Sequence, residues 1–258
     1  WPASSRVGLK SLGLTLALML GLSSQALGQQ ATDRCAQPRR GEPVSEADAA
    51  PVTAIALPLS PALQTLPTTG PNYLGQLRPT AVGWLLWRTL PLCVYIAPST
   101  AAPGSASFER ERQWEAAQLA ALADWAPWFP WQRVKNPEQA DIAIERRSPP
   151  LRRGVDGRLQ PARTAETRFF LYRDGTNRLQ VRYRIDQGLT QAIEGLRGTA
   201  RHELGHALGL WGHSDNPADV MYPAQIGRNG PLTDRDLATL RRLYEQPTPI
   251  GQPLPASR

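Results

Sequence analysis

The alternation of apolar and polar residues predicts several strands along the chain. Apolar residues alternate with others in LPLCVYIAP at residues 90–98, and a shorter run, ADIAIE, covers residues 140–145. A longer stretch at residues 167–186 has the pattern of two strands around a turn at residues 174–177, where Asp, Gly and Asn favour a reversal. We therefore expect one β-sheet built from these strands.

Apolar residues recur at helical spacing in three other stretches. The first helix should begin at a capping serine, Ser105 or Ser107, and end near Ala126, before a proline. The second should begin near Thr190, and the third follows Thr233, which can cap it. The order is strand, helix, strand, two strands, helix and helix. It predicts an α+β fold with one twisted mixed sheet and three helices.

Proline-rich segments flank this predicted body. Residues 29–83 contain prolines every few positions, which deny a regular helix and remove donors from a strand ladder. We expect this segment to be a mostly extended linker or pro-segment. The globular domain should then span residues 84–246, and residues 247–258 should form a Pro-rich tail.

Residues 1–28 have the features of a secretory signal peptide. Arg6 and Lys10 precede the apolar run Ser11–Leu22, and small residues follow, so we expect cleavage after about Gly28. The run is short for a membrane span, although an uncleaved anchor is the alternative interpretation. We expect a secreted protein, extracellular or periplasmic, with no stable membrane insertion after cleavage.

The chain carries 29 basic and 22 acidic residues, which gives a net charge of +7. Both an anionic partner and a coding bias toward arginine would explain this excess, and the scattered arginines form no long basic run. No aromatic-interleaved basic patch of the kind that single-strand binders use is present. We expect a monomer that does not bind nucleic acid.

The chemistry is concentrated in HELGHALGLWGHSDNPADVMYP, which contains all three histidines of the chain. His202 and His206 are four residues apart, so both imidazoles lie on one helix face and can reach one metal ion. Glu203 is displaced around the helix and can reach a water on that metal as a general base. Gly209 follows where the helix must stop, because glycine suits the left-handed position after a helix.

This stretch resembles the motif of the metzincin zinc endopeptidases, most closely the matrixins. Their pattern H-E-x-x-H-x-x-G-x-x-H is matched at His202, Glu203, His206 and Gly209. The last histidine of the pattern would fall at Gly212, whereas this chain has His213. The likeness extends over residues 91–244 and includes a pattern in the closing helix, matched at Leu232, Thr233, Asp236, Leu243 and Tyr244.

The resemblance implies a metzincin-like fold with the active-site helix at the base of the cleft. It implies a catalytic zinc, with Met221 as a hydrophobic floor beneath it. Tyr222 and Pro223 would begin the wall of a pocket for the residue after the scissile bond. The strand Thr167–Tyr172 would form the upper rim, where an extended substrate can pair with the strand edge.

One additional residue in the turn explains why His213 lies one position beyond the last histidine of the family pattern. Met221 lies eight residues after His213, as in matrixins, so the register is lost only within Leu210–Gly212. We expect a bulge there that brings His213 to the zinc as third ligand. Asp215 is the alternative third ligand, because some metzincins use aspartate.

Two features depart from the family pattern. No histidines remain for a second, structural zinc, so we expect that site to be absent; calcium is left open, although no clear loop of oxygen ligands is present. Cys35 lies in DRCAQP, a partial match to the latency segment whose cysteine binds the zinc in matrixin zymogens. A disulfide between Cys35 and Cys93 is the other interpretation.

Together these features predict a secreted zinc endopeptidase that hydrolyses protein or peptide substrates through a zinc-activated water, with Glu203 as base. One alternative is a secreted, non-catalytic metal-binding or adhesion module that retains the site. The other is a zinc hydrolase acting on a bond other than a peptide.

Overall fold

The computed structural model describes residues 34–39, 41–160, 162–190, 192–223 and 230–255. The predicted signal peptide lies outside these residues. Within the described ranges, no helix is both long and apolar enough to cross a membrane.

One mixed sheet of six strands forms the centre of the fold, in the order β1-β5-β6-β4-β2-β3. The strands are β1 (Glu42–Pro43), β2 (Leu92–Ile96), β3 (Trp131–Val134), β4 (Ile142–Glu145), β5 (Ala165–Arg173) and β6 (Leu179–Gln187). β5 runs antiparallel to both of its neighbours, β1 and β6, whereas β6, β4, β2 and β3 run parallel to one another. The predicted mixed sheet is confirmed. β1 and β3 were not predicted, because β1 has only two residues and β3 places the polar Gln132 and Arg133 side by side, which hides any alternation.

The three predicted helices are present, and two four-residue α-helices that were not predicted precede them, besides shorter helical turns in the described residues. The helices are α1 (Glu46–Ala49), α2 (Pro61–Gln64), α3 (Ala106–Trp125), α4 (Ile193–Ala207) and α5 (Asp234–Tyr244). Ser105 caps α3 by accepting a hydrogen bond from the N–H of Phe108, and Thr233 caps α5 in a reciprocal arrangement with Asp236. α4 begins at Ile193 rather than near Thr190, because Ala192 still has an extended backbone.

Helix α4 packs against α3 on one side and against β5 and β6 on another, and side chains of α3 hold it in place. The indole N–H of Trp125 donates to the carbonyl of Arg201 at 3.2 Å. The side chains of Arg197 and Arg201 both pair with Asp124 of α3. These contacts fix the axial position of α4 against α3, and with it the position of any side chain that α4 presents to the cleft.

The segment before residue 84 is packed into the domain rather than mostly extended. Leu63, Leu66, Tyr73 and Leu77 are all buried in the hydrophobic core. The Tyr73 hydroxyl donates to Asp236 at 2.7 Å, and its backbone N–H donates to the hydroxyl of a threonine of α5. The prolines do prevent long regular elements, as expected, but single apolar side chains between them provide burial. Its removal as a pro-segment stays a prediction.

The described part of the predicted tail is also integrated into the fold. Thr248, Ile250 and Leu254 are buried. Thr248 exchanges backbone hydrogen bonds with Ile55, and the N–H of Leu254 donates to the carbonyl of Asn177 at 2.9 Å. Residues 247–255 therefore join the N-terminal segment to the turn between β5 and β6, and they do not form a free tail.

Candidate metal centre and cleft

The C-terminal half of α4 carries His202, Glu203 and His206, and its last carbonyls are satisfied by side chains. The indole N–H of Trp87 donates to the carbonyl of Ala207 at 2.8 Å, and the Tyr244 hydroxyl donates to that of Leu208 at 3.0 Å. Because these acceptors would otherwise be unpaired at the end of a buried helix, the two contacts stabilise its last turn.

Two backbone carbonyls orient the histidines of α4. Nδ1 of His202 lies 2.8 Å from the carbonyl oxygen of Val220, and Nδ1 of His206 lies 2.8 Å from that of Leu210. A carbonyl oxygen can only accept, so each Nδ1 carries the proton and donates it. The lone pair is left on Nε2 of both rings, which is the usual arrangement for metal-binding histidines.

His213 lies beside these two rings. The three imidazoles offer nitrogen atoms that all lie within 4.8 Å of one another. A tetrahedral zinc with Zn–N bonds of about 2.0–2.1 Å needs its nitrogens about 3.4 Å apart, so the three rings would draw together when an ion binds. The sequence contains only three histidines, and the fold brings all of them to one point. The donor set and its spacing fit a zinc ion.

Burial keeps the first two histidines neutral. His202 is 6 % exposed and His206 is 9 % exposed, and burial lowers the pKa of both imidazoles to about 4. Burial, with a smaller effect of the Arg163 charge, also lowers the pKa of the more exposed His213. Since a metal binds only the unprotonated imidazole, the site favours the binding form at neutral pH.

Glu203 lies between α4 and β5 and is almost fully buried. The Thr167 hydroxyl lies 2.5 Å from Oε2 of Glu203 and 3.0 Å from its carbonyl oxygen. Burial raises the pKa of the Glu203 carboxyl above its ordinary value, which favours proton uptake. Thr167 was predicted only as part of the rim strand. Its contact with Glu203 depends on how α4 packs against β5, which no local signal reveals.

The turn after α4 accommodates the additional residue. Gly209 has φ +103° and Gly212 has φ +115°, so both adopt left-handed conformations that glycine allows. Between them, the N–H of Trp211 donates to the carbonyl of Gly209 at 2.8 Å, which makes a tight reversal. The chain then returns His213 to the metal site, as predicted from the register.

Trp211 lies in the turn that is one residue longer than the family pattern, and it packs on the ring of His206. Its indole lies parallel to the His206 ring with centroids 5.5 Å apart, and its edge meets Phe169 of β5 at 5.5 Å. Its carbonyl accepts from the N–H of Arg78 at 2.8 Å. The turn is thus held between the sheet and the N-terminal segment.

Gly212→Ala is expected to disturb this turn. A Cβ at position 212 would lie 3.1 Å from both the carbonyl oxygen of Gln76 and the Cα of Leu77, in addition to the strain of a positive φ. We expect the free energy of unfolding to fall by about 1–3 kcal/mol and zinc affinity to fall as well. Gly104→Ala is the matched control, because Gly104 has φ +82° with nothing near its Cβ position. Denaturation and chelator competition check both variants, and equal effects of the two would contradict this account.

Asp215, the alternative third ligand, is directed elsewhere. Its carboxylate accepts from Arg235 at 2.8 Å, and this hydrogen bond lowers the pKa of the carboxyl. Asp215 is exposed and is not a member of the histidine cluster. The structure therefore favours His213 as the third ligand.

Met221 is fully buried beneath α4. Its sulfur sits directly against Gly205, where any Cβ would overlap with it. Its carbonyl accepts from the N–H of Ser214 at 2.9 Å, which connects this turn to the loop that carries His213. Met221 thus packs against α4 next to the loop that carries His213, and its role as a floor beneath the metal stays a prediction.

A cleft of about 630 Å³ opens over these residues. It is lined by His202, Glu203, His206 and His213, by the start of β5 from Ala165 to Thr167, and by Pro223. Tyr222 is not among the described residues that line it. Of the two predicted wall residues, only Pro223 is therefore placed at the cleft, and the chain from 224 to 229 lies outside the described residues.

Cys35 is bonded to Cys93 and therefore presents no thiol to the metal site. The disulfide interpretation is confirmed, and the latency interpretation does not agree with this structure.

The matrixin family model (peptidase M10) matches residues 92–245, a range that contains the whole metal site and five of the six strands. No curated protein matched the chain. The matched residues make up more than half of the 258-residue sequence, so the chain belongs to the matrixin family.

Proposed function

We propose that this matrixin is a secreted zinc-dependent endopeptidase. One observation carries the proposal: a buried carboxylate, Glu203, lies beside three convergent imidazoles in a cleft whose rim is the edge of a β-strand. Burying a carboxyl costs free energy, and a purely structural metal site does not need one at this place. Hydrolysis does need a group that accepts the proton of the attacking water.

In this proposal His202, His206 and His213 hold the zinc. When bound, zinc would supply an activated water and polarise the carbonyl that is attacked. Glu203 takes the proton of the attacking water and passes it to the nitrogen of the leaving amine. The Thr167 hydroxyl holds the Glu203 carboxylate in position.

The edge of β5 is the binding surface for the substrate backbone. Beside the metal site, from Ala165 to Phe170, β5 pairs with no strand on its outer side in the described part of the chain. An extended peptide can add to this edge as a further strand, with backbone hydrogen bonds that are independent of its sequence. This explains how an endopeptidase could bind the middle of a chain.

Two features support secretion. The N-terminal residues have the pattern of a signal peptide. The chain also pairs its two cysteines as a disulfide, which is typical of oxidising compartments.

The direct test combines a zinc assay with digestion of casein or quenched peptides. We expect one zinc per chain, cleavage within peptides, loss of cleavage after chelation and its recovery when zinc is added back. Stoichiometric zinc without cleavage of any peptide would contradict the endopeptidase and favour the non-catalytic module.

A further inference from the structure

An N-terminal arm, defined as residues 34–39 and 41–44, is fastened to the far side of the sheet. Cys35 is bonded to Cys93 of β2. Arg34 and Arg39 pair with the buried carboxylate of Asp141 at 2.7 Å and 3.0 Å. The arm is therefore held at a fixed place by a covalent bond and by two ion pairs to one buried carboxylate.

From this anchor the arm reaches the outer edge of β5. Glu42 pairs with Arg173 and Pro43 with Tyr172 as strand β1, and the N–H of Val44 donates to the carbonyl of Leu171 at 3.0 Å. The chain then leaves the edge at Ser45, which caps α1. The arm thus occupies the last three residues of β5 and goes no further.

The arm lies on the same edge that faces the cleft. In an antiparallel ladder, alternate residues direct both their N–H and C=O to one side. Since Leu171 bonds the arm, Phe169 and Thr167 direct their backbone groups to that side as well. Thr167 contacts Glu203, so the arm and the reactive groups share one line of backbone donors and acceptors.

The direction of the arm is that of a bound substrate. Pro223, expected beside the residue after the scissile bond, lines the cleft together with the start of β5 at Ala165. A substrate would therefore run from the Leu171 end of β5 toward the Ala165 end, antiparallel to the strand. β1 is antiparallel to β5 too. The arm and a substrate would lie end to end on one edge.

We propose that residues 41–44 close the end of this edge on the side that binds the residues before the scissile bond, and so limit how many of those residues the enzyme can bind. The inference rests on the proposed function. Thr167 and Leu171 are four residues apart, which is about 14 Å of strand. The edge therefore accepts about four substrate residues before the scissile bond and then meets Val44.

The test uses quenched peptides that share one scissile bond and one C-terminal half but have two to eight residues before that bond. For the wild-type full chain, kcat/KM should rise with length to about four residues and then stay level. Gly41→Ala should release the arm, because a methyl group there overlaps the carbonyl of Arg173. In that variant each pair of further residues adds one residue whose N–H and C=O both face the edge, so kcat/KM should rise about fivefold to a hundredfold per pair, the gain of two backbone hydrogen bonds.

Gly75→Ala is the matched control, since nothing lies near its Cβ position and its φ is not positive. Val44→Pro removes the N–H that bonds Leu171 and provides a second route to release. Hydrogen exchange at residues 41–44 reports the release, and zinc content reports an intact metal site.

A wild-type kcat/KM that keeps rising well beyond four residues would overturn the proposal. So would a released arm with an unchanged length profile. A failure of the underlying function gives a different result: no peptide of any length is cleaved by any of the proteins.

Discussion

Replacing Glu203 with glutamine is expected to lower kcat/KM for peptide cleavage by about 10²–10⁴-fold, the usual contribution of a general base. Glutamine keeps the size of the side chain and can still accept from the Thr167 hydroxyl, so packing between α4 and β5 should persist. Because Glu203 is not one of the three convergent imidazoles, zinc stoichiometry should not change. Peptide kinetics and metal analysis on the same preparation separate the two effects.

Glu166→Gln is the control for charge in the same cleft. Glu166 also lines the cleft and is buried, but its carboxylate pairs with Arg152 and Arg163 and is not part of the histidine cluster. Its replacement should reduce stability more than turnover. Wild-type activity in Glu203→Gln would refute the role of Glu203 as base, whatever the effect of Glu166→Gln.

The sequence predicted those site residues whose positions depend only on the local geometry of one helix or one turn. His202 and His206 share a helix face because of the helical period, and Glu203 follows from the same period. The position of His213 followed from a count of residues on either side of the turn. None of these conclusions depends on which elements pack against α4.

Contacts between distant segments could not be predicted in the same way. The carbonyl of Val220 orients His202, and the hydroxyl of Thr167 holds Glu203, yet each is brought there by the packing of another element. The N-terminal segment shows the same limit. Its buried side chains, such as Leu66, Tyr73 and Leu77, are too irregularly spaced to give a strand or helix period.

Because this segment packs into the domain, the predicted boundary at residue 83 does not separate a dispensable segment from the catalytic domain. The N–H of Arg78 bonds the carbonyl of Trp211, and Leu77 forms a bridge with Gly212. Both contacts hold the turn that carries His213. A maturation cleavage near residue 83 would remove this support, so an active mature chain should retain the segment from Tyr73 onward.

His213→Ala is expected to weaken zinc binding by more than about 100-fold, since loss of a direct ligand should exceed the 10–100-fold cost of losing an outer contact. The fold should survive, because His213 is exposed and the backbone of its loop is held through Trp211 and Ser214. Asp215→Ala should change zinc affinity by less than about twofold, since that carboxylate pairs with Arg235 instead. Chelator competition on the two variants and the wild type measures both effects. The contrary result would be zinc lost in Asp215→Ala and kept in His213→Ala. It would mean that the turn rearranges when the metal binds, and that the additional residue moves His213 out of the site.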